Sequence, residues 1–106
     1  MNLKLVHQDK RGEIYILEEK GREVATILTT KKGFARGGCI HKENEWMDTI
    51  KGEVDYYPNS AFTFKGTPHY FISNTDSIVM EWGANIKNTT KDKKLRSIVD
   101  EINKSN

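Results

Sequence analysis

The stretch that decides the fold and the chemistry of this chain runs from Gly33 to Gly52. It reads Gly-Phe-Ala-Arg-Gly-Gly-Cys-Ile-His-Lys-Glu-Asn-Glu-Trp-Met-Asp-Thr-Ile-Lys-Gly. Three side chains of the kinds that bind metal ions, Cys39, His41 and Glu45, fall within seven residues of it. Side chains alternate between the two faces of a strand, so Cys39 and His41 point the same way if this segment is extended.

A fourth residue of this kind, His69, follows the turn Gly66-Thr67-Pro68. In a compact β domain it can return to the same point as the first three. A thiolate, two imidazoles and a carboxylate bind divalent transition metals, and the sulfur favours zinc or another soft ion. We therefore predict a metal site formed by Cys39, His41, Glu45 and His69, with zinc, nickel, iron or manganese as candidates. Taken one at a time, each residue is also compatible with ordinary packing or a surface position.

Composition limits the class of protein. The 106 residues are enough for one domain with its own core. A net charge of +2 does not favour a nucleic-acid partner. The single cysteine cannot form an intrachain disulfide, and no apolar run is long enough for a signal core or a membrane span. These features predict a soluble cytoplasmic protein that does not enter the membrane.

Alternating apolar residues separated by polar turns predict short β-strands from about residue 3 to about residue 83. Turns recur every eight to twelve residues, a spacing typical of an antiparallel sandwich or barrel. The strand patterns are Ile14 with Ile16, Val24 to Leu28, Glu45 to Ile50, Val54 with Tyr56, Phe62 with Phe64, His69 to Ser73 and Ser77 to Trp82.

The end of the chain has a helical pattern. Leu95, Ile98, Val99 and Ile102 fall at positions i, i+3, i+4 and i+7, which predicts an amphipathic helix over about residues 91–103. The residues from 88 to 90, Asn-Thr-Thr, offer helix caps before it. Its apolar stripe packs on the barrel of its own chain or on a partner subunit, and the pattern allows both.

The stretch from Gly33 to Gly52 resembles the first motif of the cupin superfamily. That motif runs glycine, five residues, His-x-His, three or four residues, glutamate, six residues, glycine. Here Gly33, Cys39, His41, Glu45 and Gly52 stand at those spacings, with cysteine in place of the first histidine.

The second cupin motif runs proline-x-glycine, two residues, histidine, three residues, asparagine. Gly66 and His69 match it, whereas Phe64 and Ser73 stand at the proline and asparagine positions. The resemblance covers about residues 12–83. It implies a mostly β, cupin-type double-stranded β-helix, or jelly-roll barrel, with the predicted helix after it and residues 1–106 as a single domain. It also implies a metal held inside the barrel and a homodimer formed by strand addition or sheet packing.

Within the superfamily, the segment around Cys39 is most similar to small sugar-related cupins. These include the nucleotide-sugar 3,5-epimerase and 3,4-ketoisomerase group, in which an Arg-Gly-x-His stretch carries a catalytic histidine base. Cys39 stands at that base position here. The resemblance therefore does not carry proton abstraction by histidine over to this chain.

Three functions are compatible with these residues. The first is a small metal-binding cupin that acts on or binds a small polar metabolite, sugar-like or carboxylate, as an isomerase, hydrolase or dioxygenase. The second is a metal-free sugar isomerase or epimerase, with His41 or His69 as the base and Arg36 pairing with a phosphate or carboxylate. The third is a binding module that holds a metal or small ligand without turning it over. The candidate substrate-binding residues are Arg36, Met47, Tyr56 and Phe71.

Overall fold

The computed structural model describes residues 1–84 and 89–106. In these residues the chain forms ten strands and one helix. The strands are β1 (Asn2–Asp9), β2 (Gly12–Glu19), β3 (Arg22–Thr30), β4 (Ala35–His41), β5 (Glu45–Lys51), β6 (Val54–Tyr57), β7 (Phe62–Thr63), β8 (His69–Ser73), β9 (Ser77–Trp82) and β10 (Thr89–Lys91), and the helix is α1 (Lys93–Lys104).

The strands form two antiparallel sheets. One sheet has six strands in the order β1-β2-β3-β9-β5-β7, and the other has four in the order β10-β4-β8-β6. Met47 and Val79 of the first sheet and Phe71 of the second form a buried hydrophobic cluster. On β5, β8 and β9 one face of the strand is buried, so the alternation in the sequence fixes which of their side chains point inward. The predicted mostly β fold with a C-terminal helix is confirmed.

The segment before the helix differs from the prediction. Thr89–Lys91, expected to cap or begin the helix, is strand β10, which pairs with β4 along Cys39, Ile40 and His41. The helix begins instead at Lys93, and the Asp92 carboxylate accepts a hydrogen bond from the Leu95 N–H as its N-cap. The asparagine at position 88 lies outside the described residues. Within those residues, no helix is long and apolar enough to cross a membrane.

Helix α1 packs on its own barrel, which decides between the two alternatives for its apolar stripe. Val99 is completely buried, and the helix lies mainly against β4. The side-chain amide of Asn103 donates to the Ala35 carbonyl at 3.0 Å and accepts from the Ala35 N–H at 2.7 Å. The helix therefore supports the strand that carries Cys39 and His41.

Candidate metal centre

Two sheets bring three side chains to one point. His41 ends β4 and His69 begins β8, and both strands belong to the four-stranded sheet. Glu45 begins β5 in the six-stranded sheet, four residues after His41. The three ligand atoms lie within 4.8 Å of one another. This group, the metal triad, spans the two layers of the fold.

The distances within the metal triad suit a single ion. Nε2 of His69 lies 2.9 Å from Glu45 Oε1, and Nε2 of His41 lies 3.3 Å from Glu45 Oε2. Two metal–ligand bonds of about 2.1 Å place their ligand atoms roughly 3–4 Å apart. Glu45 and His69 are buried and His41 is partly buried, so water competes little for these ligands.

Outer hydrogen bonds orient both histidine rings. Nδ1 of His69 donates to the Thr67 carbonyl oxygen at 3.2 Å, and Nδ1 of His41 lies 2.7 Å from the Thr89 hydroxyl oxygen. When either histidine ring is neutral and carries its proton on Nδ1, the lone pair of its Nε2 points at Glu45. Metal-binding histidines are commonly oriented by a second-sphere oxygen in this way.

This arrangement needs a cation at its centre. Two nitrogen lone pairs that face a carboxylate repel it unless a proton or a metal ion lies between them. Burial lowers the pKa of His69, but the hydrogen bond and charge of Glu45, together with the hydrogen bond to Thr67, outweigh burial and leave that pKa above its usual value. Burial raises the pKa of Glu45, but the hydrogen bonds with His41 and His69 leave it below its usual value. A proton can fill the position, and the donor set fits a divalent transition ion.

Cys39 lies beside this group. Its backbone pairs with that of His69 across β4 and β8, and its side chain lines the same cavity. In the described part of the chain, the group of converging ligand atoms contains His41, Glu45 and His69 without the Cys39 sulfur. Burial raises the pKa of the Cys39 thiol, which favours the uncharged form. Four-ligand coordination through Cys39 therefore stays a prediction.

The metal triad opens into a cavity of about 200 Å³ between the two sheets. The described residues that line it are Arg11, Ile14, Thr26, Leu28, Arg36, Gly37, Cys39, His41, Glu45, His69, Phe71, Glu81, Ala84, Thr89 and Arg96. Charged and metal-binding side chains share this space with apolar ones. Such a mixture is typical of a binding site for a small polar molecule.

The predicted substrate-binding residues occupy two different places. Arg36 and Phe71 line the cavity. Met47 and Tyr56 lie outside its described lining: Met47 is in the buried cluster, and Tyr56 packs against that cluster. The Tyr56 hydroxyl also bonds the Thr49 hydroxyl at 2.7 Å.

Glu81 is a cavity residue that the sequence prediction missed. It lines the cavity, and burial first and the charge of Glu45 second raise its pKa to about 8. One signal for it was present: Glu81 shares the inward face of β9 with Val79, which is completely buried. Arg11 and Arg96 were also missed, and neither stands in a pattern that indicates a site.

Comparisons with known proteins give a fold but no family. No family model matches this chain, and no curated protein matches it. The chain is similar to the crystal structure of the capsular polysaccharide assembling protein CapF from Staphylococcus aureus, with a TM-score of 0.63 at 15% identity over 87% of this chain and 32% of that one. A structure of CapF with the inhibitor 3-isopropenyl-tropolone gives a TM-score of 0.61 at 14% identity, over 86% of this chain and 34% of that one.

These similarities establish a cupin-like fold. The chain spans about a third of the length of the CapF structures that it matches. At this level of identity the similarity extends to the arrangement of strands and not to what CapF assembles. The chain thus has a cupin-like fold, and its His41–Glu45–His69 group is a candidate metal site.

Proposed function

We propose that this protein is a small metal-binding cupin that binds or transforms a small polar metabolite, sugar-like or carboxylate. The observation that carries the proposal is the convergence of His41, Glu45 and His69 on one point where their ligand atoms could hold a metal ion. The resident ion would be zinc, nickel, iron or manganese, since nitrogen and carboxylate ligands suit all four.

Three protein ligands, rather than four, would leave one coordination position of the ion open to water or a small molecule. A structural zinc site is usually closed by four protein ligands, whereas a catalytic site has three and leaves a position for water or substrate. The converging group here has three members among the described residues. When bound there, an ion would supply polarisation of a substrate oxygen or activation of water. Isomerisation, hydrolysis and oxygen chemistry all remain compatible with this site.

Metal uptake by the purified protein tests the proposal. The protein is stripped with a chelator, incubated separately with each of the four ions and passed over a desalting column. Elemental analysis is expected to find one ion per chain for at least one of the four. Uptake at less than a tenth of an ion per chain for all four would contradict the proposal.

Replacing Cys39 with serine then decides its part in the site. With three ligands, Cys39→Ser keeps one ion per chain and changes the dissociation constant by less than about 10-fold, the lower range of second-sphere effects. Loss of the ion from a variant that still shows the wild-type circular dichroism spectrum would assign the sulfur to the coordination sphere.

A metal-free function is supported by one observation. His69 and Glu45 form a buried hydrogen-bonded pair at 2.9 Å, and a histidine paired with a carboxylate is a common proton-transfer unit. The pKa of His69 is raised above its usual value, which favours the protonated ring that can donate a proton. In this alternative, sugar binding and turnover survive complete removal of metal, whereas in the metal-dependent function they do not.

We further propose that the protein forms a homodimer through β1. This strand is an edge of the six-stranded sheet, and seven of its eight residues are exposed. Leu3 and Leu5 are 53% and 49% exposed, and they lie on one face beside their cross-strand neighbours Leu17 and Tyr15. An antiparallel edge can pair with a copy of itself about a twofold axis.

The lone cysteine is compatible with a cytoplasmic location, which we also propose.

Substituting Leu5 with arginine tests this dimer. An arginine at the interface is expected to weaken association by at least about 10-fold, because the charge would have to be buried or repelled by its copy. Sedimentation or light scattering at several concentrations measures the change. Ile98→Arg is the control, since Ile98 is 38% exposed on the helix at the opposite sheet. A wild-type protein that is monomeric throughout would contradict the dimer.

A further inference from the structure

One arginine in the cavity is bonded only to neutral oxygens. Arg36 is 3% exposed, and its Nε donates to the Thr30 hydroxyl at 2.9 Å. One terminal nitrogen, Nη2, donates to the Thr29 carbonyl at 3.0 Å. The other, Nη1, is buried and has no partner among the described residues. Burial lowers the pKa of Arg36 to about 10, so the guanidinium stays charged at neutral pH.

The other two arginines that line the cavity have carboxylate partners. Nη2 of Arg11 lies 2.7 Å from Asp9 Oδ2. Arg96 donates to the Gly37 carbonyl at 3.1 Å and lies 3.8 Å from the carboxylate of Asp100. Within the described ion pairs, Arg36 is therefore the cavity arginine without a counterion. A buried donor with no acceptor costs free energy, which an incoming anion would remove.

Arg36 is held in place before any ligand arrives. Thr29 and Thr30 belong to β3 of the six-stranded sheet, whereas Arg36 belongs to β4 of the other sheet. The guanidinium thus crosses from one sheet to the other, and two of its nitrogens are fixed at the far side. A fixed planar donor recognises a carboxylate at low cost in conformational freedom.

We propose that the cavity binds a small organic acid whose carboxylate accepts a hydrogen bond from Arg36. This inference deepens the proposed function, rests on the same cavity and chooses the carboxylate class over a neutral sugar. The cavity volume of about 200 Å³ corresponds to roughly seven waters at ~30 Å³ each. A molecule of that size has few heavy atoms, so a nucleotide-sized ligand would not be enclosed.

Charge balance supports the same class of ligand. A divalent ion held by the metal triad would meet one carboxylate, that of Glu45, and would retain one positive charge. Arg36 adds a second positive charge in the same cavity. Glu81, which interacts electrostatically with both Glu45 and Arg36, supplies at most one negative charge. An anionic ligand would complete the balance.

Glycolate and its neutral amide, glycolamide, test the inference without any substitution. They differ little in size, but one carries a carboxylate and the other a carboxamide. Both are titrated into protein loaded with the ion that it takes up best and into chelator-treated protein, and binding is followed by calorimetry or ligand-observed NMR. Glycolate is expected to bind at least about 30-fold more tightly, the range of a charge-assisted hydrogen bond.

Two variants assign this preference to Arg36. Arg36→Met removes the charge and is expected to reduce the preference to less than about 3-fold at unchanged metal content. Arg36→Lys keeps the charge but loses the planar geometry and is expected to retain part of the preference. Because Arg36 is buried, replacing it can disturb the fold, so circular dichroism is used to check that each variant is folded. If Arg36→Met is unfolded, the Arg36→Lys result and the wild-type comparison decide.

The outcomes separate this inference from the metal site. If the wild type and the folded Arg36→Met variant prefer glycolate over glycolamide to the same degree, the role of Arg36 would be overturned while the metal site would stay intact. Equal binding of glycolate and glycolamide to the wild type, or binding of neither at millimolar concentration, would overturn it as well. A preference that depends on Arg36 in protein that takes up no metal would support the inference and contradict the proposed metal function.

Discussion

Replacing His69 with alanine is expected to remove stoichiometric metal from the protein. His69 supplies one of three converging ligand atoms, and the remaining Glu45 and His41 lie on opposite sheets. Structural zinc sites bind with about 10–16 kcal/mol over four ligands, or roughly 3–4 kcal/mol for each. Losing one ligand should therefore weaken binding about 100- to 1000-fold. Competition with a metal-sensitive dye measures this change.

His7 provides the matched control. It is a histidine on β1, its side chain is 50% exposed, and its ring bonds Asp9 at 2.9 Å, away from the metal triad. His7→Ala should keep the wild-type affinity for the ion. If His69→Ala binds the ion as tightly as His7→Ala does, then Glu45, His41 and His69 do not form the site. Circular dichroism of both variants separates loss of the ligand from loss of the fold.

Replacing Gly37 with alanine is expected to damage both the fold and the site. Gly37 has a φ of +119°, and a Cβ there would lie 2.6 Å from the Tyr70 Cα and 2.7 Å from the His69 carbonyl oxygen. Both atoms belong to the backbone of β8, so no flexible side chain can move aside. We expect the free energy of unfolding to fall by about 3 kcal/mol or more. Metal affinity should fall with it, because β8 carries His69.

Gly66 separates steric conflict from backbone strain. Its φ is +82°, yet a Cβ there would have nothing within 4 Å. Gly66→Ala should therefore cost only the strain of a left-handed residue, about 1 kcal/mol. Urea denaturation of both variants measures the difference. Equal losses of stability at the two positions would contradict close packing of β4 on β8.

The fold was predictable because alternation and motif spacing agreed. Glu45 follows His41 by four residues across a short turn, so their proximity could be inferred from local sequence. His69 lies 24 residues after Glu45, and the motif resemblance brought it to the same point. Alternation along β5 also puts Glu45 and Met47 on the same face of the strand, and both are buried.

Other features depended on contacts that no local pattern records. A glutamate on an alternating strand usually faces water, so Glu81 gave little indication of the cavity. Strand β10 has three residues and directly precedes a helix, and its pairing with β4 outweighed the helical tendency of that region. The Nε and Nη2 atoms of Arg36 bond Thr30 and Thr29 of the other sheet, whereas its Nη1 has no partner among the described residues. These partners follow from tertiary packing and not from residue spacing.

The way the chain leaves β10 has a consequence for assembly. β10 pairs with β4 only from Cys39 to His41. In the part of β4 that precedes Cys39, the carbonyl oxygens of Gly38, Gly37 and Ala35 accept hydrogen bonds from the Asp92 N–H, the Arg96 guanidinium and the Asn103 amide, respectively. A helix thereby completes the hydrogen bonding that another strand would otherwise supply. Along this part of β4 the helix occupies the position of a pairing strand, which disfavours strand addition by a neighbouring molecule there.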